Sequence, residues 1–345
     1  MSHSELSIKD IPPINVIIGK NDTGKTGLLK LLYATAKSLE IYSLKARQSE
    51  LAFKKELSDK LLDTFMPRKN GLGDLVQKGS KDRLEVNLTI TGNKYKQDIH
   101  YSFGDRTEKV IPNCSEHIDA LPADTINVLF IPAKEVLTAF NDIRNIRELQ
   151  FGVGFDDTYL DLIKALNIPT SKGRVASELS QVNKSLEELF DGKIEQTGQN
   201  EQPFVFKKGN QQFAMQQTAE GIKKIGILTT LITNRQIGKG TILFMDEPET
   251  ALHPDAVRQM VEMLVAMSKA GVQIFLASHS YFVIKQLANC AKRDQLNISC
   301  WNLKREFGQP VNNSFEDLIY GVLPSNSIID EALRMFDEEI NIDLK

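Results

Sequence analysis

The most constraining feature of this sequence is a short apolar run that leads into a glycine-containing loop and then into a helical pattern. Residues 14–18 read INVII, which has the length and β-branched content of a buried strand. Residues 19–26 read GKNDTGKT, and residues 27–34 read GLLKLLYA with helical spacing of the leucines. Glycines at such a strand-to-helix turn are typical of a phosphate-binding loop.

The residue types in this loop suit phosphate. Gly19 and Gly24 let the backbone curl so that amide groups point at phosphate oxygens, and the helix that begins there adds its positive dipole end. Lys25 is placed to reach the β- and γ-phosphates of a nucleotide, and Thr26 offers a hydroxyl to Mg²⁺. The alternative, an ordinary glycine-rich turn, is disfavoured by the flanking strand and helix. The predicted nucleotide-binding residues of the loop are Gly19, Asn21, Asp22, Thr23, Gly24, Lys25 and Thr26.

Two acidic residues follow another buried strand pattern. Residues 241–245 read TILFM, and Asp246 and Glu247 come directly after them. Residues 255–270 repeat apolar side chains at helical spacing, and residues 272–277 form a further apolar run. Strand, helix and strand in this order predict a parallel crossover in the sheet that carries the loop. Asp246 is then placed to support Mg²⁺, and Glu247 is placed to accept a proton from an attacking water.

Each of these polar positions has an alternative interpretation. Asp246 and Glu247 are also explained as two solvated acids at a strand end. His279 follows the next predicted strand and is placed to hydrogen-bond the γ-phosphate or the attacking water, although histidines serve many structural roles. Thr218 and Gly221 precede a helix whose amide groups would face a phosphate, and an ordinary N-cap at Thr218 is an equally good interpretation.

The remaining patterns predict an α/β protein with a mixed or parallel sheet, an antiparallel β subdomain and a helical lobe. Residues 84–90 and 95–103 predict a hairpin, and residues 127–132 predict another buried strand. Helical patterns dominate residues 134–191, and residues 204–215 predict a second hairpin. One composite domain is therefore divided into an N-terminal lobe (residues 1–133), a helical lobe (residues 134–200) and a C-terminal lobe (residues 201–345).

Composition predicts an ordinary globular protein. The 42 basic and 45 acidic residues give a formal net charge of −3, which offers no overall electrostatic argument for binding nucleic acid or membrane. Residues 40–96 are locally basic, and a solvated surface is the favoured explanation. Three cysteines without metal-ligand spacing fit free thiols in a reducing compartment. No apolar run reaches the length of a membrane span, so we expect a soluble, cytoplasmic protein.

Four segments together resemble the nucleotide-binding elements of ABC-type ATPases. Residues 19–26 resemble a Walker A motif, and residues 243–254, which read LFMDEPETALHP, resemble Walker B with its D-loop. Residues 278–280 resemble an H-loop, and residues 218–224 resemble a signature element. The closest resemblance is to the group that spans RecF, the SMC and Rad50 heads and the OLD-family ATPases. Residues 130–135 resemble a segment of small AAA-family ATPases of bacterial phage-defence systems, the PARIS type among them.

The resemblance implies a P-loop NTPase with an ABC-ATPase-like head that binds ATP and Mg²⁺ and hydrolyses ATP. The implied roles are ATP and Mg²⁺ binding for Lys25 and Thr26, metal support for Asp246, general base for Glu247 and γ-phosphate sensing for His279. Thr218 and Gly221 would act in trans, because two such heads sandwich ATP between them. The resemblance therefore implies a homodimer, or a higher homo-oligomer, joined through the nucleotide.

The sequence departs from the pattern of the family in several places. Residues 218–221 read TAEG and lack the adjacent glycines of a transporter signature, which argues against a transporter subunit. No glutamine stands just after residues 131–132, where a metal-binding Q-loop is expected, and Lys134 or Glu135 occupies that position. The helical insert is too short for a long coiled coil. We also expect no nuclease domain after residue 288, unlike full-length OLD proteins.

Three hypotheses of function follow from these features. The first is a nucleotide-switched sensor or scaffold of a bacterial anti-phage defence complex whose effector is a separate protein. The second is a RecF-like DNA-repair ATPase that clamps duplex DNA against the basic residues between Lys45 and Lys96, with strongly salt-dependent binding. The third, an interaction module with structural nucleotide, is disfavoured by Glu247, since a binding-only head needs no base. Residues 329–340 form an amphipathic pattern that either docks a partner or, as we favour, lies on the chain's own sheet.

Overall fold

The strand that precedes the phosphate-binding loop lies inside the central sheet of the fold. The computed structural model describes residues 6–45, 51–68, 71–77, 83–92, 95–122, 125–148, 154–169, 177–198, 203–305, 311–320 and 327–343. The strands are β1 (Ile14–Gly19), β2 (Leu84–Gly92), β3 (Tyr95–Phe103), β4 (Asn113–Cys114), β5 (Asn127–Ile131), β6 (Lys193–Gln196), β7 (Phe204–Lys208), β8 (Gln211–Ala214), β9 (Thr241–Asp246), β10 (Gln273–Ala277), β11 (Ile298–Lys304) and β12 (Asn312–Asp317). The helices are α1 (Lys25–Leu44), α2 (Leu51–Phe65), α3 (Phe140–Glu148), α4 (Asp157–Leu166), α5 (Ser177–Phe190), α6 (Glu220–Thr233), α7 (Pro254–Lys269), α8 (Tyr281–Asp294) and α9 (Ser327–Asp343).

Six strands form the central sheet in the order β12-β11-β1-β10-β9-β5. Every pairing in it is parallel except that of β12, which runs antiparallel to β11 at one edge. The predicted mixed sheet and the crossover from β9 through α7 to β10 are therefore confirmed. Ile17 lies opposite Ala277, and Ala277 lies opposite Asp246. The carboxyl ends of β1, β10 and β9 thus meet at one edge, which brings together the loops that follow them.

Two apolar layers cover the two faces of this sheet. Side chains alternate along β1, so that Ile14, Val16 and Ile18 pack in one layer and Ile17 packs in the other. Helices α7 and α8 contribute to the first layer, and α1 contributes to the second. These four side chains of β1 are fully buried, and burial of each stabilises the fold by roughly 1.5–3 kcal/mol. Because both faces are covered, the parallel strands read as continuous apolar runs.

The helix predicted over residues 255–270 is confirmed with small shifts at its ends. It begins after His253, whose Nδ1 accepts a hydrogen bond from the Asp255 amide at 3.3 Å, and Pro254 occupies its first turn. Its C-cap residue is Ala270. Gly271, which the sequence indicates as the stop signal of this helix, lies directly after the cap residue with φ of 91°, the left-handed conformation that favours glycine there.

The two predicted hairpins are confirmed, and each belongs to a three-stranded antiparallel sheet outside the central one. The first sheet has the order β2-β3-β4 and the second has the order β6-β7-β8. Strand β6 is not predicted from the sequence. Helices α3, α4 and α5 account for the helical patterns of residues 134–191, and α4 packs against β5 and α2. The lobe boundaries at residues 133/134 and 200/201 stay predictions.

One helix boundary is corrected by the structure. The spacing of Leu51, Leu57, Leu61, Leu62 and Phe65 before Pro67 predicts a second helical stretch over residues 44–66. Helix α1 instead continues to Leu44, and α2 begins at Leu51. Residues 46–50 lie outside the described residues. The end of α2 at Phe65, before Pro67, is as predicted, because proline cannot continue the hydrogen-bonded helix.

The amphipathic helix α9 departs from its favoured prediction. Ile328 and Ile329, in its first turn, pack against the apolar layer that contains α8. Leu333, Phe336 and Ile340 are exposed by 58%, 59% and 43%. The prediction that this helix lies on the chain's own sheet is therefore wrong beyond its first turn, since its apolar side chains continue into solvent.

No helix in the described part of the chain is long and apolar enough to cross a membrane. The longest one described is α1, which has 20 residues. It carries charged side chains along its length, among them Lys30, Lys37 and Glu40.

Candidate nucleotide-binding site

The loop between β1 and α1 has a backbone that requires small residues. Gly19 and Gly24 have φ of 150° and 85°, and Asp22 has φ of 63°. A Cβ at Gly19 would lie 2.4 Å from the carbonyl oxygen of Leu303 in β11, so the close approach of that strand requires glycine. Gly24 is the N-cap residue of α1, and no side chain of the described residues caps it. The first amide groups of α1 are therefore free to face an anion.

Lys25 lies within the loop rather than in solvent. The residue is only 6% exposed, and its Nζ donates hydrogen bonds to the carbonyl oxygens of Gly19 and Lys20, both at 2.9 Å. Burial lowers the pKa of the Lys25 ammonium, and nearby carboxylates, that of Glu247 first, act in the opposite direction. An ammonium held among the carbonyls of a curled loop fits the role of pairing with a bound phosphate.

The predicted metal ligands Thr26 and Asp246 are in contact. The Thr26 hydroxyl lies 3.0 Å from each carboxylate oxygen of Asp246, to which it donates. Burial raises the pKa of Asp246 above its usual value, while the hydrogen bond from Thr26 opposes that shift. The residues that the structure describes contain no group of three or more histidine, cysteine or acidic side chains that would hold a metal. One hydroxyl and one carboxylate fit Mg²⁺, which commonly takes few protein ligands and completes its shell with phosphates and waters.

Glu247 and His279 lie side by side next to this pair. The Glu247 amide donates to the carbonyl oxygen of Ala277 at 3.0 Å, and Glu247 has φ of 46°. Its Oε1 lies 3.4 Å from Nε2 of His279, and both side chains are partly exposed. Burial, followed by the charge of Lys25, lowers the pKa of His279, so the neutral imidazole predominates at neutral pH. Left-handed backbone at a residue other than glycine is stored strain of the kind found at active sites.

The other three predicted residues of the loop shape it or face outward. The Thr23 hydroxyl donates to the carbonyl oxygen of Lys20 at 2.9 Å, which closes the loop internally. The Asp22 side chain is exposed and pairs with the Arg305 guanidinium at 2.5 Å. Asn21 is exposed. Nucleotide contacts of these three residues stay predictions.

Glu249 is a site residue that the sequence interpretation missed. Its Oε1 accepts hydrogen bonds from the Ser278 hydroxyl at 2.7 Å and from the His279 amide at 3.0 Å. The side chain therefore joins the loop after β9 to the loop after β10 and fixes the backbone that carries His279. The available signal was its place two residues after Glu247, within the DEPE run.

Lys224 is a second residue that was missed. Its Nζ donates to the carbonyl oxygen of Glu247 at 2.9 Å, and the residue is buried. Burial lowers the pKa of Lys224, and the charges of Glu249 and Glu247 oppose that effect. Helix α6 thus holds the strained backbone of Glu247 through a buried ammonium group.

Thr218 lies just before the N-cap residue of α6, and Gly221 lies in the first turn of that helix. The Thr218 hydroxyl donates to the carbonyl oxygen of Ala214 at 3.0 Å, and the N-cap residue of α6 is Ala219, so the interpretation of Thr218 as N-cap is wrong. A Cβ at Gly221 would lie 3.0 Å from the carbonyl oxygen of Ala251. The start of α6 is thus packed on the segment that follows Glu247. The role in trans stays a prediction.

Glu135, at the expected Q-loop position, belongs to a structural network. Its Oε2 accepts from the amides of Leu137 and Thr138 at 2.7 and 3.2 Å, and its Oε1 lies 3.5 Å from Nζ of Lys223. Lys223 also donates to the Thr138 hydroxyl and to Glu220. These contacts join the beginning of the helical lobe to α6.

Many of the basic side chains proposed as a DNA-clamping surface are engaged within the chain. Lys45 pairs with Glu56 at 2.6 Å, and the Lys54 ammonium donates to the carbonyl oxygen of Pro112 at 2.9 Å. Arg47, Lys69, Lys78 and Lys81 lie outside the described residues. The pairs reduce the positive charge that this face presents to phosphates. DNA binding stays a prediction.

The arrangement agrees with comparisons to known proteins. The protein-family model described as "AAA domain, putative AbiEii toxin, Type IV TA system" matches residues 14–285. That range contains the loop, Asp246, Glu247 and His279. The chain belongs to this family. The predicted membership in the ABC/AAA group of P-loop ATPases is thereby confirmed at the level of the family.

Two further proteins are similar to this AAA-family chain. The Old nuclease of Escherichia phage P2 is 45% identical over 40 residues, a stretch that spans 12% of this chain and 7% of the phage protein. A crystal structure of an SMC head bound to the C-winged helix domain of ScpA aligns with a TM-score of 0.52 and 14% identity, over 90% of this chain and 91% of that chain. This second likeness concerns the fold alone, and it confirms the predicted ABC-ATPase-like head.

Proposed function

We propose that this chain is a Mg²⁺-dependent ATPase. The observation that carries the proposal is the contact between Thr26 and Asp246, at the edge where the loop of Lys25 meets Glu247 and His279. A binding-only site needs no carboxylate beside a histidine at that edge, whereas hydrolysis needs a group that orients or deprotonates water.

Each residue of the site has a separate proposed role that follows from its position. Lys25 and the amides at the start of α1 would hold the phosphates, while Thr26 and Asp246 would hold Mg²⁺. A bound Mg²⁺ neutralises charge on the phosphate oxygens. Glu247 orients the attacking water and accepts its proton. The neutral His279 lies 3.4 Å from Glu247 and is placed to share a hydrogen bond with that water or with the γ-phosphate.

Two variants test hydrolysis and binding separately. Lys25→Ala should abolish binding of MgATP in calorimetry, because the buried ammonium is lost from the loop. Glu247→Gln should bind MgATP and lose turnover by about 10²-fold or more, the usual contribution of a general base. The control is Lys285→Ala, which removes an exposed ammonium on α8. Unchanged affinity in the first variant, or full turnover in the second, would contradict the proposal.

We further propose that ATP closes a homodimer of this chain, and that the dimer is the switch of a bacterial anti-phage defence complex in the cytoplasm whose effector is a separate protein. The description of the family, which names a putative toxin and a Type IV toxin–antitoxin system, supports a role of this kind. The short match to the phage P2 Old nuclease agrees with it. An SMC head bound to a domain of ScpA illustrates a head of this fold engaged with a partner protein. More specifically, we propose that the chain is a defence ATPase of the PARIS type.

The switch is tested by mass and by co-purification. Light scattering of Glu247→Gln with MgATP should give twice 38.7 kDa, and Lys25→Ala should give the monomer mass under the same conditions. Co-expression with the neighbouring genes should yield one stoichiometric partner protein whose retention changes between these two variants. A monomer in every nucleotide state would contradict the dimer. A partner held equally by both variants would contradict the nucleotide switch.

A further inference from the structure

Exposed apolar side chains are concentrated near the end of the described chain. Eleven large apolar side chains are exposed in the residues that the structure describes, and seven of them lie between residues 315 and 342. Five of the seven belong to α9. Monomeric proteins rarely expose large contiguous apolar patches except at sites of interaction. Scattered exposed leucines need no explanation, but this concentration on one helix does.

Four apolar side chains of α9 form one stripe, and the exposed Met335 and Ile342 lie outside it, more than about 100° away. Ile329, Leu333, Phe336 and Ile340 fall within about 60° of arc at 100° per residue and extend over about 16 Å of helix. Ile329 is buried against the body of the protein, whereas the other three are exposed. The helix is thus anchored at one end and presents the rest of its stripe to solvent. Anchors at this spacing are those of a helix that lies in a groove of another protein.

Acidic residues border the stripe on both sides. Helix α9 has six acidic residues and one arginine, and that arginine, Arg334, is already paired with Glu331 at 2.5 Å. Measured around the helix axis from Ile329, Asp330 and Asp337 lie at about 80–100° to one side of the stripe, and Glu339 lies at about 80° to the other side. Whatever covers the stripe must therefore bring positive charge to both of its margins.

The charges exclude three other occupants. A second copy of α9 would place one strongly acidic helix against another, and like charges across an interface are unfavourable. A membrane surface attracts amphipathic helices that are rich in lysine and arginine, and α9 has the opposite charge. Nucleic acid binds through neutralisation of its phosphates by cations, which this surface does not supply. A protein groove remains, with an apolar floor and basic rims.

We propose that α9 is a docking helix that inserts its stripe into an apolar groove, flanked by lysine or arginine, on a protein of different sequence. This inference rests on the proposed function in one respect, because it identifies that protein with the separate effector. The docking itself depends only on the stripe and its acidic borders. It locates the effector contact on an element that does not contain the nucleotide-binding residues.

Site-specific photocrosslinking in the full chain tests the proposal. Benzoylphenylalanine replaces Phe336 in the stripe or, as the control, Glu338 at about 180° on the opposite face of the same helix. Both chains are expressed with their neighbouring genes, irradiated in cells, and analysed for the crosslinked residue by mass spectrometry. The proposal predicts one protein other than this chain, crosslinked from position 336 at least about tenfold more than from position 338, at a surface bordered by basic residues.

The other outcomes overturn it. A crosslink to a second copy of this chain, to lipid or to nucleic acid, an equal yield at both positions, or no product at position 336 would each refute the docking groove. With the crosslinked protein purified, Phe336→Glu should weaken binding by about tenfold or more, as truncation of an interface anchor does. Asp337→Lys with Glu339→Lys should also weaken it, and unchanged affinity would refute the basic rims.

ATP hydrolysis by the chain that carries the crosslinker separates the two proposals. Hydrolysis without the specific crosslink refutes the docking helix and leaves the ATPase intact. The specific crosslink without hydrolysis refutes the ATPase and leaves the docking helix intact.

Discussion

Replacing Lys60 with Met should lower the free energy of unfolding by about 3–5 kcal/mol, the range for breaking a buried ion pair on one side. Lys60 lies in α2, and its ammonium contacts the carboxylates of Asp157 and Asp161 in α4. The Lys60 side chain is 3% exposed and the two carboxylates are 12% and 11% exposed. Methionine fills a similar volume but leaves two buried carboxylates without that ammonium.

The directions of the pKa shifts support a large effect. Burial lowers the pKa of Lys60, but Asp161 and Asp157 more than offset it, and the pKa lies above its usual value. Burial raises the pKa of Asp161, yet Lys60 and its neighbours outweigh that effect and hold the pKa below its usual value. Asp161 therefore stabilises the fold above the pKa of the unfolded carboxyl, and this contribution is lost as pH falls through the lower folded pKa. Lys60→Met should reduce this part of the acid sensitivity.

Lys164 supplies a matched control within the same cluster. Its Nζ lies 3.6 Å from Asp161, but its side chain is 67% exposed, so Lys164→Met should change the free energy of unfolding by less than about 1 kcal/mol. The single tryptophan, Trp301, is buried in β11 and reports unfolding in urea at pH 7 by fluorescence. Equal losses in the two variants, or a loss below about 1 kcal/mol for Lys60→Met, would show that solvent screens the cluster.

Three further predictions concern the nucleotide-binding site. Glu249→Leu should lower kcat about tenfold, because the buried Ser278 hydroxyl and the His279 amide lose their hydrogen-bond acceptor. Glu249→Gln keeps an acceptor oxygen, so equal kcat in the two variants would contradict this prediction. Lys224→Met should lower kcat with little change in ATP affinity, since it frees the Glu247 carbonyl, and unchanged kcat would refute that role. Because burial lowers the pKa of His279, the neutral imidazole should persist as pH falls. The pH profile of kcat/KM should then show an acid limb with its midpoint below 6.5, and His279→Gln should lack that limb. A midpoint above 6.5 would contradict this prediction.

Much of the sheet edge was predictable because its signals are local. Three apolar strands can each be recognised within about ten residues of sequence: the one before Gly19, the one before Asp246 and the one before His279. Parallel strands end at the same edge, so three short patterns were enough to place the loop, the acids and the histidine together. The contact between Thr26 and Asp246, which are 220 residues apart, follows from this topology.

The parts that escaped prediction depend on tertiary contacts. No strand is predicted over residues 298–304, although β11 pairs with β1, because polar side chains such as Ser299 and Asn302 interrupt its apolar pattern and are nevertheless buried. The bond from Glu249 to Ser278 and that from Lys224 to Glu247 join side chains that no local pattern relates. Amphipathicity also gives the face of α9 but not what covers it, so the sequence alone favoured the wrong location.

Helix α1 connects the phosphate-binding loop to the helical lobe through polar side chains. It begins at Lys25, and one turn further on Lys30 pairs with Asp156 at 2.5 Å. Tyr33, which is fully buried, donates to Asp161 at 2.5 Å. Both acids belong to α4 or its N-cap. A change of position of α1 must therefore either carry α4 with it or break two partly buried, charge-assisted hydrogen bonds, each of which contributes about 1.5–3 kcal/mol. Movement of α1 and α4 as one unit is therefore less costly than movement of α1 alone.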